Sequence, residues 1–128
     1  KFQLYFEEDS SKIIVRIPSL IYPLSSSQLP PAVYDSLDAL ADFLKHHSDK
    51  PVLILGFTDA TGPDSVNKTL SRERAHGVYT YLMGRYEFSP DLLHYRGLGP
   101  KDPIANNETH FGKAQNRRVE VWVSKGLT

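Results

Sequence analysis

Residues 52–84 constrain the fold of this 128-residue chain most strongly. They read as a strand, a turn and a long helix in immediate succession. Residues 52–55 (Val-Leu-Ile-Leu) form an apolar run of strand length, and near-continuous hydrophobicity through Phe57 suggests a central strand. Gly62 and Pro63 punctuate the turn, and Pro fits the first turn of a helix because an N–H there has no intrahelical partner to lose. From Pro63 the pattern is helical until Gly84. At about 100° per residue, Val66, Leu70, Ala75, Val78, Tyr81 and Leu82 share one half of the helix wheel. Lys68, Thr69, Arg72, Glu73, His76, Tyr79 and Thr80 fill the other half. Asn67, Ser71 and Arg74 break this partition: they project from the middle of the apolar half at i, i+4 and i+7, along one ridge.

An arginine turned inward has to be paired, because an unpaired buried charge is very costly. Asp59, at the mouth of the preceding strand, is the nearest candidate in sequence. Two readings follow. One is a structural Asp59–Arg74 ion pair beneath the turn, which the wheel alone favours. The other is a pocket for a ligand that bears both an ammonium and a carboxylate. Asp59 would take the ammonium, Arg74 would grip the carboxylate with its planar fork of donors, and Asn67 with the backbone N–H groups at the helix start would complete the anion side.

The run Thr58-Asp59-x-x-Gly62-x-x-x-x-Asn67-x-x-Leu70-Ser71-x-x-Arg74-Ala75 resembles the OmpA-like peptidoglycan-binding domain. Further pieces fit in order: Tyr81-Leu82, Gly97-x-Gly99-x-x-x-Pro103, Asn107-x-Thr109 and Asn116-Arg117-Arg118-Val119-Glu120. Several separated motifs in sequence are far more specific than any one alone. The resemblance runs from about Tyr22 to Val123. It implies binding of the meso-diaminopimelate of the peptidoglycan stem peptide, whose free end carries one ammonium and one carboxylate, and so favours the zwitterion pocket. It makes Asp59 the ammonium acceptor and Arg74 the carboxylate clamp, with Thr58 and Asn67 in support and Leu70 among the ligand-binding residues. Arg117 would lie at the rim on the last strand, with Arg118 the less favoured of the two arginines. The chain departs from the family pattern in having Phe57 where His is usual, and Tyr22-Pro23-Leu24-Ser25-Ser26 where an acidic segment is usual.

The rest of the chain reads as an α+β domain, a mixed β-sheet with helices packed on one side in the order β-α-β-α-β-β. Residues 1–20 supply N-terminal strands, at 2–6 and 12–17, and residues 21–124 the family-matching core of a single 1–128 domain. A polar, Pro-containing lead at 25–31 enters a helix over 32–45. Val33, Leu37, Leu40, Ala41, Phe43 and Leu44 share one face of that helix, with Asp35, Asp38 and Asp42 away from it. It ends near His46-His47-Ser48. Residues 89–93 read as a short helical turn, 94–97 as a strand, and 99–113 as a long loop. Residues 118–124 form a closing strand with Val119, Val121 and Val123 on one face. Trp122, on the other face, reads as a packing residue that covers a helix.

Fifteen basic and fifteen acidic residues cancel, which leaves no electrostatic case for nucleic acid or an anionic membrane. No apolar run approaches the length of a membrane span. The chain starts within a strand at Lys1 and is expected to be a piece of a longer protein, whose other part would carry a signal and a membrane anchor. The expected location is the periplasm of a Gram-negative bacterium, tethered to the outer or inner membrane, with envelope proteins as possible partners. Enzymatic chemistry is not expected. There is no Cys nucleophile and no Gly-x-Ser-x-Gly elbow, and the five His are scattered without metal-ligand spacing. Neither a cofactor nor a metal is expected. Glu7-Glu8-Asp9 reads as a solvated turn, with cation binding as its alternative. The competing functional class is an envelope protein–protein interaction domain with weak or lost peptidoglycan binding, which the departures at Phe57 and Ser25 favour.

Overall fold

A computed structural model describes residues 5–17, 28–29, 31–46 and 50–125. Residues 2–4 of the expected first strand, the segment 22–26, residues 25–27 and 30 of the polar lead, and His47 and Ser48 lie outside the described residues. The elements are β1 (Tyr5–Glu8), β2 (Lys12–Ile17), α1 (Tyr34–Lys45, after a 3₁₀ turn at Pro31–Val33), β3 (Val52–Phe57), α2 (Asp64–Arg85), β4 (Leu93–Gly99), α3 (His110–Asn116) and β5 (Arg118–Ser124). One five-stranded sheet runs in the order β1-β2-β5-β3-β4. The β3–β4 pair is parallel and the other three pairs are antiparallel, so the sheet is mixed and the class is α+β.

Strand alternation divides the sheet into two faces. Val15 and Ile17 of β2, Val52 and Ile54 of β3, and Val119, Val121 and Val123 of β5 meet Leu37, Leu40, Ala41 and Leu44 of α1 and Ala75, Val78 and Leu82 of α2 in one apolar core. The helix α2 lies on this face at backbone contact. Gly56 and Gly97 are register partners on β3 and β4. A Cβ on Gly56 would collide with the carbonyl oxygen of Ser71, and one on Gly97 with the backbone nitrogen of Arg72. Both glycines are present because a helix backbone occupies the space of a side chain. The Ser71 hydroxyl completes the junction: it donates to the Lys68 carbonyl at 2.9 Å and accepts from the Gly99 amide at 2.9 Å.

At the other end of α2, the Asp38 carboxylate of α1 accepts the hydroxyls of Tyr81 (2.8 Å) and Tyr86 (2.7 Å), and Tyr34 stacks on Tyr81 at 4.9 Å. Burial, then the bond to Asp38, pushes the Tyr81 hydroxyl up to about 12. Asp38 therefore joins the two helices, although its wheel position lies off the apolar face. The β1–β2 turn is closed by Asp9, whose Oδ1 accepts the Ser11 amide at 2.8 Å and the Lys12 amide at 3.0 Å, and whose Oδ2 pairs with Lys12 Nζ at 3.2 Å.

Three expectations need correction, those on Trp122, Val66 and the 99–113 loop. β3 is interior, paired with both β4 and β5 as its hydrophobicity suggests, and β5 is the middle strand. Its alternating polar residues are buried through ion pairing rather than by apolar character. Glu120 binds Arg118 at 2.7 Å, Trp122 Nε1 at 2.9 Å and Arg16 at 3.3 Å on the face away from the core. Trp122 lies on that same face, in register with Ile14 and Leu53 and with Lys12 Nζ 4.8 Å from its ring centre, so it covers sheet rather than helix. Val66 is 59 % exposed: it lies in the first turn of α2, N-terminal to the glycine contact. Finally, the loop expected over 99–113 contains the start of a helix, α3.

The glycine contact is a packing constraint with a measurable cost. Gly97→Ala is expected to lower stability by about 1–3 kcal/mol, the usual range for an overpacked site. Urea denaturation would show the midpoint falling with little change in slope, as α2 is lifted from the sheet.

Candidate functional site

The candidate site is built where β3 leaves the sheet. Thr58 is tied to β4, its amide donating to the Gly99 carbonyl at 2.8 Å, while its hydroxyl donates to the Asp59 carbonyl at 2.8 Å. The side chain of Asp59 is thereby held below the turn. Its Oδ1 accepts the Thr61 amide at 2.8 Å, and its Oδ2 accepts Nη1 of Arg117 at 2.7 Å. The turn passes through Gly62 at φ 84°, a left-handed conformation that glycine adopts without strain. Asn67, buried in the first turns of α2, returns to the loop by donating to the Thr61 carbonyl at 2.9 Å.

The second wall comes from the segment before β5. Asn116 is fully buried and uses its whole amide: Oδ1 accepts from Ile104 N (2.8 Å) and Ala105 N (2.9 Å), and Nδ2 donates to Ala105 O (2.9 Å) and Asn107 Oδ1 (2.8 Å). The same Asn107 oxygen accepts the Ala60 amide at 3.3 Å, which links this loop to the β3–α2 turn. Thr109 caps α3, its hydroxyl accepting the Gly112 amide at 2.9 Å. The helix was hidden in the sequence because Gly112 lowers helix propensity. Gly112 is required there, since a Cβ would meet the Asn106 carbonyl oxygen. Asn107, Thr109 and Asn116 were visible as motif residues without an assigned role. Their role is to carry the α3–β5 junction, and with it Arg117, to Asp59.

The two adjacent arginines diverge by strand parity. Arg117 points to Asp59 with its side chain 26 % exposed, against 8 % for Asp59. Arg118 is 2 % exposed and consumed by the fold: it bonds Glu120, the Asn116 carbonyl at 3.0 Å and the Asp102 carbonyl at 2.8 Å, and its guanidinium lies 3.8 Å from the centre of the Phe57 ring. Phe57 is thus a platform for Arg118. Thr58, Asp59, Asn67 and Arg117 are brought together through the 58–61 turn. Arg74 lies two helical turns from Asn67 on the same buried ridge, 1 % exposed and engaged within the fold, with its Nη1 buried and making no hydrogen bond. Leu70 is half-buried beside this ridge.

Burial by itself would raise the Asp59 carboxyl. The Thr61 amide and the Arg117 guanidinium more than offset it, and the group titrates below the ordinary value of 3.8. Glu120 behaves alike: burial raises it, but Arg118, Trp122 and Arg16 bring it below 4.5. Both shifts are depressions, so the stability they contribute is present above the unfolded values and lost as pH falls through the folded ones. Thermal melts are therefore expected to be level from about pH 8 to about pH 5 and to fall steeply below about pH 4. A Glu120→Gln variant should be less stable at neutral pH and flatter in acid. Asn116→Ala, which leaves buried loop amides without an acceptor, is expected to cost at least about 2 kcal/mol in urea denaturation.

The OmpA family model matches residues 21–117. The chain is 39 % identical over 113 residues to Probable lipoprotein YiaD from Escherichia coli (strain K12), a match covering 88 % of this chain and 51 % of YiaD. It is 44 % identical over 98 residues to Peptidoglycan-binding protein ArfA from Mycobacterium tuberculosis (strain ATCC 25618 / H37Rv), covering 77 % of this chain and 30 % of ArfA. Among solved structures, a MotB-like protein from Desulfovibrio vulgaris superposes with a TM-score of 0.86 at 27 % identity, over 98 % of this chain and 80 % of that one. The chain thus spans about half of YiaD and under a third of ArfA. The mixed sheet agrees with the structural match, and the family match covers most of the sequence: the chain belongs to the OmpA family.

Proposed function

We propose that this domain is a non-catalytic anchor that binds peptidoglycan through the meso-diaminopimelate of the stem peptide. The observation that carries the reading is the Asp59 carboxylate, held ionised beneath the β3–α2 turn and facing the partly exposed guanidinium of Arg117 at 2.7 Å. In this reading the head group's ammonium goes to Asp59, its carboxylate goes to Arg117, and Arg74 on the buried ridge of α2 is assigned to the carboxylate side as well. Thr58 and Asn67 hold the turn in place, and Leu70 offers apolar surface to the alkyl part of the ligand. The name of ArfA, a peptidoglycan-binding protein that is 44 % identical over the matched region, supports the ligand class. Binding is reversible, through charge-assisted hydrogen bonds, with no covalent step.

The anchoring role places the domain in the periplasm, tethered to a membrane by a neighbouring segment of its parent protein and in reach of other envelope proteins. Retention on purified sacculi tests the assignment. Asp59→Asn keeps an acceptor for the Thr61 amide and removes the charge, so the turn should persist. Loss of a charged hydrogen bond is expected to weaken binding about 10–100-fold. Retention equal to wild type, in a variant whose thermal melt shows it folded, would remove Asp59 from the site. If charge removal lowered only the melting temperature, the Asp59–Arg117 pair would be structural and a protein partner the better reading.

A further inference from the structure

We infer that Arg117 is a built-in competitor for the ligand's ammonium, and that this competition sets selectivity for a zwitterionic head group over a lone amine. The inference rests on the reading of the site as a diaminopimelate pocket. Oδ1 of Asp59 is committed to the Thr61 amide at 2.8 Å, and Oδ2 faces Arg117 at 2.7 Å. The oxygen that an incoming ammonium needs is therefore occupied by a cation of the protein itself. Both cations on one carboxylate would repel each other in a site where Asp59 is largely screened from water. Arg117 already neutralises Asp59, so an incoming ammonium gains little while that guanidinium stays on Oδ2 and most once it has moved away.

Arg117 is free to do so where its neighbour is not. Its side chain is 26 % exposed, and it stands at the C-cap of α3 between two elements. Arg118 is enclosed by Glu120, two backbone carbonyls and the Phe57 ring. A zwitterionic ligand resolves the displacement: its ammonium takes Oδ2, and its carboxylate receives the released guanidinium, whose planar fork suits a carboxylate. Every charge that loses a partner gains one. A lysine-type side chain brings the ammonium alone. It expels Arg117 without offering a new acceptor and leaves the site one positive charge richer. On this account the discrimination comes from what Arg117 loses with the wrong ligand as well as from what it gains with the right one.

Competition and simple contact differ in sign. A residue that only contacts the carboxylate would, when removed, weaken the diaminopimelate ligand and leave the lysine one unchanged. A competitor, when removed, strengthens the lysine ligand. Isothermal titration of wild type, Arg117→Gln and Arg117→Lys with diaminopimelate-containing and lysine-containing muropeptides reads this directly. Wild type should bind the diaminopimelate muropeptide selectively. Arg117→Gln should bind the lysine muropeptide about tenfold more tightly than wild type does and the diaminopimelate one more weakly, so that selectivity collapses. Arg117→Lys, which keeps a cation opposite Asp59, should keep most of the selectivity. Selective wild-type binding combined with lysine-muropeptide affinity unchanged or reduced in Arg117→Gln overturns the competition. An equal gain in Arg117→Lys overturns it too. Wild type binding neither muropeptide is a separate result: it rejects the diaminopimelate pocket, and this inference with it.

Discussion

The contact on which the rest of the molecule depends is the seating of α2 directly on Gly56 and Gly97. Helices usually stand off a sheet by the length of interposed side chains. Here the Ser71 carbonyl and the Arg72 nitrogen occupy the volume where two Cβ atoms would be. That approach brings a polar ridge against the sheet and lets it be satisfied there. Ser71 accepts the Gly99 amide, and Asn67 reaches the Thr61 carbonyl. A polar ridge on the buried side of a helix would be destabilising at ordinary separation, because its groups would be desolvated without partners. At this separation it is the means by which the helix fixes the loop that carries Asp59.

The second requirement is met through asparagine amides. Asn116 and Asn107 form a short relay from the segment before β5 to the β3–α2 turn. Side-chain amides suit this task, since one group both donates and accepts and can therefore replace regular backbone pairing in a loop. The result is that Arg117, distant from Asp59 in the chain, meets it at 2.7 Å just beyond the last register pair of β3 and β5, Phe57 with Arg118. The same stretch sends Arg118 to the opposite sheet face, where it joins Glu120 and Arg16 in a buried ionic group. Adjacent residues on an extended chain point to opposite sides. A doubled arginine at this point supplies one cation to the site and one to the interior.

These two arginines also carry different energetic weight. Arg118 has exchanged water for charged and carbonyl acceptors and an aromatic face, so its displacement would leave buried Glu120 with only the longer Arg16 contact as a charged partner. Arg117 retains contact with solvent, so its pair with Asp59 is weaker than the enclosed one. The Asp59–Arg117 pair is thus partly open to water, whereas the Arg118–Glu120 pair is closed off from it.

Much of this was legible in the sequence, because local periodicity reports which face of an element is buried. The strand at 52–57, the helix from Pro63, the closing strand with Val119, Val121 and Val123 inward, and the inward ridge of Asn67, Ser71 and Arg74 all follow from side-chain spacing alone. Tertiary structure decided what spacing does not encode: which partner each buried group takes. Asp59 meets Arg117, 58 positions away in the chain, in addition to whatever its sequence neighbourhood offers. Asp38, off the apolar face of its helix, is drawn into the helix–helix contact because Tyr81 of α2 and Tyr86 just after it arrive over it. The α3 helix was concealed because Gly112 serves a close contact with Asn106 rather than helix propensity. β5 holds the centre of the sheet although it carries Arg118, Glu120 and Ser124, because Arg16 and Arg118 converge on Glu120 only once the strands are paired. Periodicity is a property of one segment, whereas ion pairing and close backbone contact are properties of two, and only the folded chain brings the two together.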